Sequence, residues 1–166
     1  MLIGVGFRTA IWLYEPYFSL VEIDIVWFGV IFFFYNVIAA LSARYLAHRY
    51  TRERLVLLVL GLLLAVSYLL PALIVSVWSI TIIGLQQIVR GIYKPTLNAY
   101  VNRQVEDAYR ATVISIISLA GSLSFALVSP MIGLSLDEYD PLTPYLAVGI
   151  TMTVGTLGLM WRRQVK

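Results

Sequence analysis

The chain has 166 residues, of which 60% are hydrophobic and only 13% charged, with a mean hydropathy of +0.86. Soluble domains carry about 25% charged residues, so a water-soluble fold would leave apolar surface that nothing could cover; this is the composition of an integral membrane protein. With no cysteine and one histidine, His48, the chain can build neither a disulfide framework nor a thiolate or histidine-cluster metal site, and its net charge of +3 has to be read from where the charges lie.

A spanning helix needs about 20 mainly apolar residues. Met1 to Leu20 is long enough and carries only Arg8 and Glu15 as charges. Arg8 interrupts its apolar run and no small-residue cleavage site follows, so it does not read as a signal peptide. Ile25 to Ala43 contains no charge and forms a second span. Leu55 to Val89 is an uncharged run of 35 residues, about 52 Å as one helix at 1.5 Å per residue. That is too long for one crossing, so a tight hairpin is expected near Pro71 to Ser79. Ala111 to Leu136 is uncharged again and ends in the turn-rich Asp137, Glu138, Tyr139, Asp140, Pro141. Pro144 to Trp161 completes the set, closed by Arg162, Arg163 and Lys166. The expectation is one all-α membrane domain, residues 1–166, a bundle of six transmembrane helices at about 1–20, 25–43, 53–72, 77–100, 111–134 and 144–161.

Six alternating spans put loops 44–54 and 101–110 and both termini on one side. That side holds nine of the twelve Lys and Arg residues, and the opposite loops hold none, only Glu22, Asp24, Asp137, Glu138 and Asp140. This is the positive-inside pattern, which places both termini in the cytoplasm and explains the basic loops without nucleic acid. Tyr and Trp near the span ends suit interfacial anchoring.

Three cations, Arg8, Arg90 and Lys94, remain within spans. A mid-membrane Arg or Lys costs about 2.5–3.5 kcal/mol on insertion scales and is kept facing protein or water. Lys94 is near enough to the cytoplasmic end to snorkel; Arg90 would have to climb three turns. Gln86 or Gln87, Arg90, Lys94 and Asn98 share one helix face at spacings of three and four. Pro95 crowds the carbonyl four residues back, at Gly91, so the pair reads as a packing kink or a hinge. Arg8 and Glu15 are two turns apart, too far for a direct pair. Asn36 is a candidate solute donor or an interhelical hydrogen bond. The small residues Ser115, Ser118, Ser122, Ala126 and Ser129 form a stripe that favours close helix packing. Apart from Glu15 no span holds a carboxylate, so the interior cations call for an anionic solute or for acids on another chain.

Several patterns together resemble the C-terminal half, helices seven to twelve, of a major facilitator superfamily transporter. Arg90-Gly91 and Pro95 lead to Asn102-Arg103; Arg110-Ala111-Thr112 opens the next helix with Ser115 and Ser118, and Ser129-Pro130 and Gly133 close it before Asp137. Trp12, Glu15-Pro16-Tyr17-Phe18 and Gly29 resemble the seventh and eighth helices. The loop from Arg44 to Arg54 departs from the family pattern: His48 stands where the aspartate would be and Thr51 where the second glycine would be. The other departure is length, since family members have two six-helix halves with the solute between them. The resemblance therefore implies a half or a fragment whose first helix is truncated, paired with a second half or another copy of itself in the cell membrane.

The resulting expectation is transport of a small polar solute, anions included, by alternating access, without a cofactor or metal. Arg90, Lys94, Gln86, Gln87, Arg8 and Asn36 are the candidate solute-binding residues, with Gly91 and Pro95 as the hinge. Two alternatives stand beside it: a six-helix substrate-binding subunit of a multi-component importer, and a non-transporting membrane fragment. An intramembrane enzyme is disfavoured, because the sequence has no paired acids, no metal cluster and no serine beside a base.

Overall fold

The computed structural model describes residues 2–45 and 53–161. The helices are α1 (Leu2–Leu20), α2 (Ile25–Tyr45), α3 (Glu53–Leu73), α4 (Ser79–Ile83), α5 (Leu85–Gln104), α6 (Arg110–Glu138) and α7 (Leu142–Trp161), with a single 3-10 turn at Asp107–Tyr109. No strand occurs among the described residues. His48 and Thr51, where the loop departs from the family pattern, lie outside them, as do Arg162, Arg163 and Lys166.

The structure differs from the expected segmentation in two places. The fourth span, expected as one helix over 77–100, is two pieces: residues 74–78 are irregular, and α4 gives way to α5 at Gly84. The long uncharged run offers few breakers, so the position of the break was not marked by composition. At the other end α6 continues to Glu138, through the acidic residues read as a turn, and only 139–141 separate it from α7. Four helices, α2, α3, α6 and α7, are long and apolar enough to cross a membrane by length and composition. The two long helices outside that set, α1 and α5, are those that carry the membrane cations.

α3 is the centre of the bundle, more than half buried along its most apolar stretch, whereas α6 is almost bare. α3 packs against α7 and α5, and α2 lies along α5. Close approach depends on glycine at two of these contacts. A side chain at Gly61 on α3 would meet Thr156 Oγ1 on α7 at 2.6 Å. One at Gly91 on α5 would run into the Ala39 carbonyl on α2, with Ser42 Cβ at 2.9 Å. α5 is helical on both sides of Gly91 and Pro95, and Gly91 lies at the close crossing with α2.

The core is aromatic. Tyr14, Tyr17, Phe18, Tyr35, Tyr68 and Tyr145 are all buried, with ring centroids 5.1 Å apart for Tyr17 and Tyr145, 5.5 Å for Tyr68 and Tyr145 and 5.7 Å for Tyr14 and Tyr35. Their hydroxyls join helices. Tyr17 donates to the Pro71 carbonyl (3.1 Å), Tyr68 to Gly6 (2.6 Å), Tyr145 to Leu13 (3.2 Å) and Tyr35 to Ile80 (2.6 Å). α1 closes with Ile23 N–H donating to Phe18 C=O and Glu22 N–H to Ser19 C=O, a Schellman end with Glu22 in the left-handed position (φ 58°) usually taken by glycine. One end of the bundle is tied by ions: Glu53 at the start of α3 meets Arg103 on α5 at 3.0 Å. Arg110 there clasps the α5–α6 turn through Asp107 (2.7 Å) and the carbonyls of Asn102 (2.7 Å) and Val105 (3.1 Å).

Gly91→Leu is expected to cost about 1–3 kcal/mol through overpacking at the α2–α5 crossing. Gly133→Leu, at a position with open space around it, should cost nothing of the kind. Chemical unfolding in detergent followed by circular dichroism measures both; equal stability of the two variants would remove the close crossing.

Candidate functional site: a basic cavity between three helices

The helical repeat gathers the polar residues of α5. Arg90, Lys94 and Asn98 follow at steps of four, and with Tyr93 and Leu97 they form one wall of a cavity of about 510 Å³. α1 supplies Gly4, Phe7 and Arg8 at the same spacing, and α6 supplies Ile114, Ile117, Ser118 and Gly121. Gly4 is the point of contact between the first two walls: a Cβ there would sit 3.2 Å from the Tyr93 hydroxyl. All three membrane cations therefore face the same space, and no Asp or Glu lines it. Glu15 is exposed elsewhere on α1.

The cations differ in how they are held. Arg90 Nη1 donates to Asn36 Oδ1 at 3.2 Å and Gln87 Oε1 at 3.5 Å, and its guanidinium carbon lies 5.7 Å from the centre of the Phe7 ring, within cation–π range. Both amides are aimed by their other ends: Asn36 Nδ2 donates to Phe32 C=O (2.8 Å) and Gln87 Nε2 to the Tyr14 hydroxyl (2.9 Å). Each thus presents its oxygen to Arg90. Arg8 Nη1 reaches across to Ser122 Oγ on α6 at 2.8 Å, and that hydroxyl donates to the Ser118 carbonyl (3.0 Å). Lys94 is exposed and makes no hydrogen bond or ion pair among the described residues.

Gln86 is a correction. It is fully buried, and its Nε2 points at the Ser67 carbonyl of α3 at 3.4 Å, away from the cavity. That carbonyl is the one Pro71 deprives of its i+4 N–H, so Gln86 patches a proline-broken helix. Its Oε1 has no partner among the described residues. A step of one residue turns a helix by about 100°, which points Gln86 and Gln87 at different neighbours, Ser67 on α3 and Tyr14 on α1. Gln87 and Asn36 are beside the cavity rather than among its lining residues, holding Arg90. Gly91 faces α2 and Pro95 lies inside α5, both outside the lining.

Sequence reasoning missed Phe7, Tyr93 and the α6 wall. Phe7 adjoins Arg8 and Tyr93 lies three residues after Arg90, but nothing in one sequence says which aromatic meets a cation. A second cavity of about 560 Å³, between α1, α6 and α7, was also unforeseen; none of the described residues lining it is charged.

A family model described as the Major Facilitator Superfamily matches residues 2–166. The chain belongs to that superfamily. It is a helical integral membrane protein of a transporter family. No curated protein and no solved structure matches it.

Gln87→Met is expected to lower stability by about 1–3 kcal/mol, because it strands the buried Tyr14 hydroxyl and an acceptor of Arg90. Gln86→Met should stay within about 1 kcal/mol, since it gives up one long bond and removes an unpaired oxygen. Urea unfolding in micelles compares them; a larger loss for Gln86→Met would reverse the assignment of the two amides.

Proposed function

We propose that this superfamily member moves a small polar solute, an anion foremost, across the membrane by alternating access, with the basic cavity as part of its solute path. The observation that carries the reading is the convergence of Arg8, Arg90 and Lys94 on one cavity without an acid in its lining. Intramembrane cations are costly and mark solute or ion pathways. Arg8, Arg90 and Lys94 contact the solute; Gln87 and Asn36 position Arg90. Proton coupling through this cavity is disfavoured, because no Asp or Glu is among its lining residues and Glu15 lies two turns along α1 from Arg8.

The chain acts as the C-terminal six-helix half of the transporter fold, beside a second half or a second copy. The support is an exposed polar face: Asn36, Arg90, Lys94, Asn98, Ser118 and Ser122 are all uncovered. A bilayer cannot satisfy such a face, whereas a second bundle or a water-filled path can. The charge asymmetry of the loops supports cytoplasmic termini in the cell membrane, with Glu53, Arg103 and Arg110 at the cytoplasmic end.

Two experiments test this reading. With the protein reconstituted in liposomes, saturable uptake is expected for at least one of labelled phosphate, succinate and benzoate, and Arg90→Ala should cut it about tenfold or more, equivalent to about 1.4 kcal/mol of binding. Uptake unchanged by Arg90→Ala would take Arg90 out of the path, and no saturable uptake of any solute would overturn the transport reading. The cysteine-free sequence also permits single-cysteine labelling. An impermeant maleimide should modify Glu138→Cys on intact cells and Asn102→Cys only after permeabilisation; the reverse order would invert the topology.

A further inference from the structure

We propose that the basic cavity selects an amphipathic organic anion, a molecule with a carboxylate or phosphate head on an apolar body, over inorganic anions and neutral solutes. This rests on reading the cavity as the solute site and names the solute's chemistry. The lining is divided. The charged groups come from α1 and α5, while the α6 wall offers Ile114 and Ile117, and Phe7 and Leu97 flank the cations. A volume of about 510 Å³ lies in the range of organic small-molecule sites, ~300–1,000 Å³, and exceeds what a bare phosphate would fill. A hydrated inorganic anion would leave the α6 wall against water. A sugar would satisfy neither that wall nor three unpaired charges.

The head group has a defined place. Among the described residues the hydrogen bonds of Arg8 and Arg90 go to neutral oxygens, of Ser122 and of Asn36 and Gln87, and Arg90 also lies against the Phe7 ring. An oxyanion forms shorter and roughly twice stronger bonds to a guanidinium than neutral oxygens do, so it displaces them. Lys94 is without a partner among the described residues and gives up nothing to bind. The head therefore sits against Lys94 and one arginine, and the apolar body lies along Ile114 and Ile117.

The test uses the full chain in phosphatidylcholine nanodiscs, with thermal unfolding read from intrinsic tryptophan fluorescence. The probes are phenyl phosphate, benzoate, inorganic phosphate and benzyl alcohol. Phenyl phosphate and benzoate are expected to raise Tm in a saturable way, and inorganic phosphate and benzyl alcohol to leave it unmoved at equal concentration. Lys94→Gln should weaken phenyl phosphate about tenfold and Lys94→Arg recover most of that loss. Ile117→Asn should weaken it several-fold without creating a response to inorganic phosphate. Inorganic phosphate acting as strongly as phenyl phosphate would reduce the site to bare charge. Benzyl alcohol acting as strongly would reduce it to an apolar crevice. Loss of the response when phosphatidylglycerol replaces a tenth of the lipid would assign the site to lipid headgroups. Each of these overturns the proposal, as does a flat response to all four probes. Saturable uptake of labelled glucose with no anion response would overturn it while leaving transport standing; phenyl phosphate binding without uptake of any solute would keep the binding chemistry and overturn transport.

Discussion

Inside a bilayer a polar group has no water to fall back on, and that single constraint organises this molecule. Each unsatisfied backbone group there costs several kcal/mol, so every break in a helix has to be met from within the protein. Pro71 frees the Ser67 carbonyl, and Gln86 reaches it from α5. Pro130 frees the Ala126 carbonyl, and the neighbouring Ser129 hydroxyl turns back to it at 3.4 Å. Tyrosine does the same between helices. Four buried or half-buried hydroxyls end on carbonyls of other helices, joining α1 to α3, α7 to α1, and α2 to α4. A phenylalanine core would bury similar area; it would not fix which turn of one helix faces which turn of the next.

The same constraint isolates the three cations. Where the bundle needs a polar contact for its own stability it supplies a fitted partner, as at Gln87 and Tyr14 or at Glu53 and Arg103. At the cavity the described residues supply two of the charges with neutral oxygens and one aromatic face, and the third with no hydrogen bond or ion pair. In low dielectric an unneutralised charge interacts strongly over short range: two unit charges 4 Å apart exchange about 4 kcal/mol even at an effective dielectric of 20. A structural ion pair would have used that energy within the fold. The cavity leaves it available to whatever enters.

Much of this was legible in the sequence, and the parts that were not share a cause. Uncharged runs and the clusters of turn residues dictate an all-helical membrane fold, because no other use of such runs is stable. The cations stood out because topology accounted for the rest. Periodicity put Arg90 and Lys94 on one face, but it left Gln86 and Gln87 interchangeable. Which of them meets α3 is set by packing, and there Gln86 reaches the Ser67 carbonyl, nineteen residues away in sequence. Sequence shows Gly91 only as a neighbour of Pro95; its close approach to Ala39 on α2 is visible only in the fold. The break at Gly84 was hidden as well, in a run whose composition does not mark it; there the Ile80 carbonyl accepts from both Gly84 N–H and the Tyr35 hydroxyl.

The α6 helix shows how site and fold are joined. It is the least buried of the spans, and its small residues give little for neighbours to grip. Ile132, Val128 and Leu136 join the core near its far end; elsewhere its anchoring is polar, the Arg110 clasp holding its start and Arg8 holding Ser122 from α1. Arg8 is also a wall of the cavity. A guanidinium can hold two acceptors only where its fork points at both, so any anion that takes the donor now given to Ser122 takes it from the seat of α6. Binding of an anion in the cavity would therefore be linked to the position of its apolar wall through one side chain, Arg8.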